Sequence, residues 1–291
     1  MDTAIRQDRN DRQRRRPANE PVDTLVVLAK RWPSNIHRDQ SEENTVMKTE
    51  NKRRILIEKP TGEIRMTNEK KSRPVIETRL RHNILCIPEE ARRASGIVVF
   101  GRRIKTLVFT TDLAIIRNCD ADAVFAVYPF TPQTAISDAI IKYSYIPVFC
   151  GVGGGTTHGV RTIGLARDME SSGAMGVVLN SPITNLNLAA VAKTVDIPVI
   201  ITVTSADTDI QKRLDAGASI LNVAGGTKTP EIIKKIRAGF PDVPIIASGG
   251  STSESILATV AAGANAITYT PPSTANLFAA MMAQYRGEEA L

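Results

Sequence analysis

The sequence predicts an α/β chain folded as a (β/α)8 barrel, preceded by a disordered, basic N-terminal extension. Eight short runs rich in β-branched residues follow one another about every 23 residues between positions 104 and 270. Two punctuation signatures recur among them at a period of about 46 residues. The composition also changes near residue 72, which divides the chain into an extension (1–71) and a barrel domain (72–291).

The 291-residue chain is 42% hydrophobic and 23% charged, enough to bury a sizeable core and too apolar for wholesale disorder. Its formal net charge of +7 is unevenly placed. Residues 1–71 hold 17 Lys and Arg against 12 Asp and Glu, leaving 20 against 18 for the rest. The body is thus nearly neutral, and with 4% aromatic residues it has few platforms for stacking bases, so no nucleic-acid partner is expected for the barrel. The longest apolar runs fall far short of the roughly 20 residues of a membrane span, so no membrane association is expected. Cys86, Cys119 and Cys150 are odd in number and widely spaced, which argues against a disulfide framework and for a cytoplasmic setting.

The extension shows no sustained period of 2 or 3.6, and its apolar islands are limited to Leu25–Ala29 and Ile55–Ile57. Such a segment buries too little surface to offset its ordering entropy. Met66 opens Met-Thr-Asn-Glu-Lys-Lys just before the patterned body, and Gly62-Glu63 is compatible with a ribosome-binding sequence upstream. A native start at Met66 is therefore an expectation.

The eight runs are 104–110, 123–128, 146–150, 175–180, 197–203, 218–223, 243–248 and 265–270. Ile146-Pro147, Ile197-Pro198 and Val243-Pro244 each open a run, where a proline need not donate to the ladder. Ser172-Gly173-Ala174, Ala216-Gly217-Ala218 and Ala262-Gly263-Ala264 each end a helical stretch, with glycine as the left-handed cap. Between runs lie helical spacings such as Ile232, Ile233 and Ile236, or Leu277, Phe278, Met281, Met282 and Tyr285, in which pattern alone does not tell an exposed stripe from core. Strands apolar on both faces and alternating with helices indicate a parallel sheet, and eight even units close most economically as a barrel. Residues 97–100, before Gly101-Arg102-Arg103, are expected to form a hairpin with the first strand at the barrel's bottom.

In this architecture the site is built from the loops after the strands. After the seventh run comes Ser248-Gly249-Gly250-Ser251, with Ser251 and Glu254 spaced as a capping box. After the sixth come Gly225-Gly226-Thr227-Lys228 and then Thr229-Pro230 to start a helix. Glycine loops at helix N-termini suit a phosphate, which makes Gly225, Gly226, Lys228, Ser248, Gly249, Gly250 and Ser251 candidate anion-binding residues, with Ser273 beyond the eighth run. Asn180 and Asn222 stand at strand ends as candidate substrate donors. The third loop, Cys150–Gly159, presents Gly153, Gly154 and Gly155 as an anion nest or oxyanion hole. Cys150 and His158 are the candidate nucleophile and base, with Asp112 orienting the imidazole. No HxH, HExxH or paired carboxylates occur, so no metal site is expected.

Val243-Pro-Ile-Ile-Ala-Ser-Gly-Gly-Ser251, followed by Ala262-Gly-Ala-Asn-Ala266, resembles the ribulose-phosphate-binding group of barrels. That group usually carries a Gly-Ser-type turn after its eighth strand, where this chain has Thr270-Pro271-Pro272-Ser273. The body also resembles a group of uncharacterised bacterial barrels with a generic hydrolase label, through Arg73-Pro-Val-Ile-Glu77, Asn83-Ile-Leu-Cys-Ile-Pro88 and Gly151-Val-Gly-Gly-Gly155. The resemblances imply an enzyme on a small phosphorylated metabolite, with hydrolysis as the first reading and a lyase or epimerase on a sugar phosphate as the second. A flavin mononucleotide (FMN) oxidoreductase and a non-catalytic sensor stay open. No cofactor is predicted on the main reading, and a homo-oligomer is compatible with it.

Overall fold

The computed structural model describes Val46–Lys48, Arg54–Ile57, Ile64–Thr67, Pro74, Ile76 and residues 85–286. The three first segments pair as an antiparallel sheet in chain order, strands that composition alone did not suggest. The expectation of disorder covered the whole 1–71 extension, whose remaining residues lie outside the described residues. Met66 is in the third of these strands, facing Ile55 in register.

From residue 97 onward the chain builds a closed parallel barrel. Its strands are β1 (Thr106–Phe109), β2 (Ala123–Ala126), β3 (Val148–Gly153), β4 (Gly176–Leu179), β5 (Val199–Val203), β6 (Ile220–Val223), β7 (Ile245–Ser248) and β8 (Ala266–Tyr269), which pairs back onto β1. The helices are α1 (Leu113–Arg117), α2 (Thr134–Tyr143), α3 (Val160–Ser171), α4 (Asn185–Ala192), α5 (Ile210–Asp215), α6 (Thr229–Gly239), α7 (Ser253–Ala261) and α8 (Thr274–Tyr285). Seven of the eight expected runs contain a strand, and the third, 146–150, holds the start of β3, which continues to Gly153.

Strand alternation sorts the core into two layers. Leu107, Ala123, Phe125, Phe149, Val178, Ile200, Ile220, Ile246 and Ala266 fill the lumen. Their neighbours Val108, Val124, Cys150, Val177, Ile201, Leu221, Ile245 and Ile267 face the helices. The bottom is plugged by a hairpin of Ile97–Val99 and Arg102–Ile104, whose Ile97, Val99 and Ile104 join the lumen cluster. Its turn places Phe100 and Gly101 at φ 46° and 76°, the two left-handed residues of a tight hairpin loop. The hairpin therefore pairs within itself, and β1 starts only after it.

Polar side chains set the ends of the elements. The Asp122 carboxylate accepts from the N–H groups of Lys105 and Thr106 at 2.9 and 3.0 Å, fixing the entry to β1 against β2. The Arg237 guanidinium donates to the carbonyls of Val243 and Gly263 and to Asn265 Oδ1, tying α6 to the entries of β7 and β8. Burial holds its pKa below the usual value. Asp209 caps α5 through the Lys212 N–H, and Asp207 lies 3.7 Å from Lys235 Nζ.

Candidate functional site

At the carboxyl ends of β4 to β8 the lumen turns from apolar to polar. Two residues beyond the lumen-facing Val178, Ile200, Ile220, Ile246 and Ala266 come Asn180, Thr202, Asn222, Ser248 and Thr268. Asn222, 6% exposed, donates from Nδ2 to Thr202 Oγ1 at 3.2 Å, which holds the amide across the β5–β6 pair. Ser248 and Thr268 stand side by side in the β7–β8 register. Thr268 is 7% exposed and its Oγ1 has no hydrogen-bond partner. An unpaired buried hydroxyl costs about 1–3 kcal/mol, so it calls for a partner that the protein does not supply. The sequence alone marked Asn180, Asn222 and Ser248, but not that Thr268 would be left unpaired.

The loop after β7 departs from the expected cap. The capping box is Thr252 with Ser255, one residue later than Ser251 with Glu254, because the chain spends Gly250 in the left-handed region (φ 83°) before the helix turns. The Gly249 N–H donates to the Thr268 carbonyl at 3.4 Å and the Thr252 N–H to Ser255 Oγ at 3.1 Å. The N–H groups of Gly250 and Ser251 have no partner among the described residues. In the loop after β6 the Gly225 N–H is taken by Thr229 Oγ1 at 3.1 Å, while Gly226 and Lys228 are exposed on a single 3-10 turn. Ser273 is exposed and accepts from the Asn276 N–H at 3.2 Å, which caps α8.

The third loop is a packed turn more than an open nest. Gly153 and Gly154 are buried at φ 136° and 105°, and the Gly154 N–H donates to the Thr157 carbonyl at 2.7 Å. A Cβ on Gly154 would lie 2.6 Å from the backbone N and O of Asn180, so these glycines let the loop lie on the end of β4. Gly155 alone of the three is exposed with nothing near it.

The structure does not assemble the expected catalytic trio. Cys150 is fully buried on the helix-facing side of β3, away from the lumen, and burial pushes its thiol up to about 12 despite a hydrogen bond with Ser137 of α2. A thiol kept protonated behind the barrel wall is placed as a small buried hydrophobe would be, on the side away from the lumen. His158 is exposed on the loop between β3 and α3. Asp112 does not bond to it. Its carboxylate caps α1 by accepting from Ala114 N at 2.8 Å and Ile115 N at 3.3 Å, and it also accepts from the Thr274 hydroxyl at the start of α8. The Thr274 bond, helped by those N–H groups, holds the Asp112 carboxyl below its usual range.

Two surface depressions, between α2 and α3 around Arg161 and Asp168 and between α4 and α5 around Thr184 and Arg213, lie between helices rather than over the lumen. The second is held by Arg213, whose guanidinium donates to the Ser181 and Ile183 carbonyls and to Asn185 Oδ1. Among the described residues no three His, Cys, Asp or Glu side chains gather as a metal site, and no helix is long and apolar enough to cross a membrane.

No protein-family model and no curated protein sequence matches the chain. The fold has many solved relatives. A phosphonopyruvate hydrolase in complex with oxalate and Mg++ is 15% identical with a TM-score of 0.51, over 68% of this chain and 87% of that one. A phosphoenolpyruvate phosphomutase from Streptomyces platensis subsp. rosaceus is 13% identical with a TM-score of 0.50, over 62% and 80%. A 2,3-dimethylmalate lyase is 15% identical at 0.48, over 62% and 79%. At such identities the likeness to the hydrolase and the phosphomutase establishes the (β/α)8 barrel and nothing finer.

Proposed function

We propose that this barrel is an enzyme acting on a small, phosphorylated metabolite held over the carboxyl ends of β5 to β8. The observation that carries the reading is the polar mouth of an otherwise apolar lumen, with the unpaired Thr268 hydroxyl beside Ser248 and the Thr202–Asn222 pair at the ends of β5 and β6. Neutral hydroxyl and amide donors in a water-poor mouth bind anionic or carbonyl oxygens without the cost of burying a counter-charge. The Gly250 and Ser251 N–H groups, with Gly226 and Lys228 on the adjacent loop, would take the phosphate. A solved barrel of the same fold is named a phosphonopyruvate hydrolase, which favours a small phosphorus-bearing acid among the candidates.

Bond cleavage with water is the reaction put first. His158 on the third loop is the proton carrier this proposal assigns, with the Asp112 carboxylate as a fixed negative acceptor at the start of α1. The test is to incubate the full chain with a panel of phosphorylated metabolites in oxygen-18 water and analyse products by mass spectrometry. Label in the product supports hydrolysis. Turnover without label assigns a lyase or isomerase to the same site, and no turnover with any member of the panel removes the proposal.

A further inference from the structure

Among the described residues, helix α8 leaves its apolar stripe open. Leu277, Phe278, Met281 and Tyr285 are 38%, 59%, 40% and 73% exposed. Thr274–Tyr285 contains no charged residue at all. Surface helices of a monomer normally carry a charged outer face, so a neutral, Ala- and Met-rich helix in water marks a contact surface. The reason α8 finds no seat on its own wall is visible in the structure. Ile87, Ala91 and Ala94, which are at most 2% exposed, already cover the outer face there. The turn Ala91–Arg93 lies against α7 and β8, and the Gly96 N–H donates to the Asn265 carbonyl at the entry to β8.

We infer that α8 is a self-association surface, covered in solution by a second copy of this chain. The area is of the right order. The four exposed side chains offer about 400 Å² of surface per copy, taking about 200 Å² for each when fully exposed. A stable interface covers about 800 Å² on each partner. Leu113 of α1 and Ile136 and Tyr143 of α2 are also exposed, and they follow α8 around the ring, joined to it at the Asp112–Thr274 bond. A symmetric pair brings α8 of each copy onto the α8–α1–α2 face of the other, so each stripe is counted together with its seat. The absence of charge on α8 suits an identical neutral surface and not a nucleic acid or a charged peptide.

The proposal is independent of the catalytic reading. It is tested by sedimentation equilibrium of the full chain over about 1–100 µM, the range in which a standard interface is populated. The expected result is a mass rising to twice the 31.6 kDa of one chain. Phe278→Asp, which buries an unpaired charge in the interface but leaves a single copy unstrained, weakens association at least about 100-fold. Val98→Lys, on the exposed hairpin at the other end of the barrel, leaves the mass unchanged. If Phe278→Asp does not fold, Met281→Lys serves the same comparison. A wild-type chain that stays monomeric throughout overturns the proposal. So do a dimer indifferent to both α8 substitutions, cross-links from residues 1–71 onto α8 within one monomer, and binding of the monomer to lipid vesicles.

Discussion

Placing a methyl group on Gly154 tests the local account of the third loop. Its φ of 105° lies in the left-handed region, and the added Cβ would sit 2.6 Å from both the N and O of Asn180. Neither side can yield cheaply, because the Asn180 N–H donates to the Gly153 carbonyl at 2.9 Å and the Gly154 N–H to the Thr157 carbonyl at 2.7 Å. The backbone term costs about 1–2 kcal/mol and the displacement about as much again, so Gly154→Ala should lose about 3 kcal/mol. For a domain of this size that is roughly 10 °C in unfolding temperature. Gly155→Ala, with nothing within 4 Å of its Cβ and no left-handed φ, should stay within about 0.5 kcal/mol of wild type. Urea unfolding of the two variants side by side supplies the comparison. Equal stabilities for both would refute the packed-turn reading and restore the open nest.

Three further outcomes are expected. Iodoacetamide at neutral pH should modify the exposed Cys86 and spare Cys150, whose thiol is buried and held near 12; native-state labelling of Cys150 as fast as in denaturant would contradict its placement. Asp112→Ala should remove an α1 cap worth about 1 kcal/mol at neutral pH. Because the folded carboxyl lies below its ordinary 3.8, that stabilisation is present above this value and lost as pH falls through the lower folded value, so acid titration of both proteins should show their difference closing only in strong acid. Thr268→Val replaces an unpaired buried hydroxyl by a methyl group of the same shape, so the free protein should be as stable as wild type or up to about 1 kcal/mol more so, while ligand binding weakens. A variant that is less stable and binds unchanged would show that the hydroxyl has a protein partner.

The barrel was legible because its strands are short β-branched runs bounded by Pro and Gly, whose backbone requirements do not depend on distant contacts. The same strands hid which way Cys150 points. A strand buried on both faces is apolar at every position, so Phe149 in the lumen and Cys150 behind it look alike in sequence. Whether the stripe on α8 is core or surface was illegible for a related reason. Helical spacing reports that one face is apolar, not whether the wall beneath is already filled, here by Ile87, Ala91 and Ala94. Glycines 153 and 154 read as ligand-facing because a tight approach to a ligand and to a neighbouring strand need the same residue. The polar mouth was half visible: Asn180 and Asn222 ended apolar runs, but the unpaired state of Thr268 depends on side chains brought from other strands.

The most direct test of the account is the thermal unfolding of the wild-type chain and of Asn222→Leu, each with inorganic phosphate, flavin mononucleotide and phosphorylated acids and sugars. A ligand at 100 times its dissociation constant adds about 2.7 kcal/mol, or roughly 5–10 °C in a barrel of this size. The account predicts such a saturable shift for at least one phosphorylated acid or sugar in the wild type and its loss in Asn222→Leu. No shift with any phosphorylated compound, or a shift that survives Asn222→Leu intact, would contradict a ligand site at the mouth of β5 to β8.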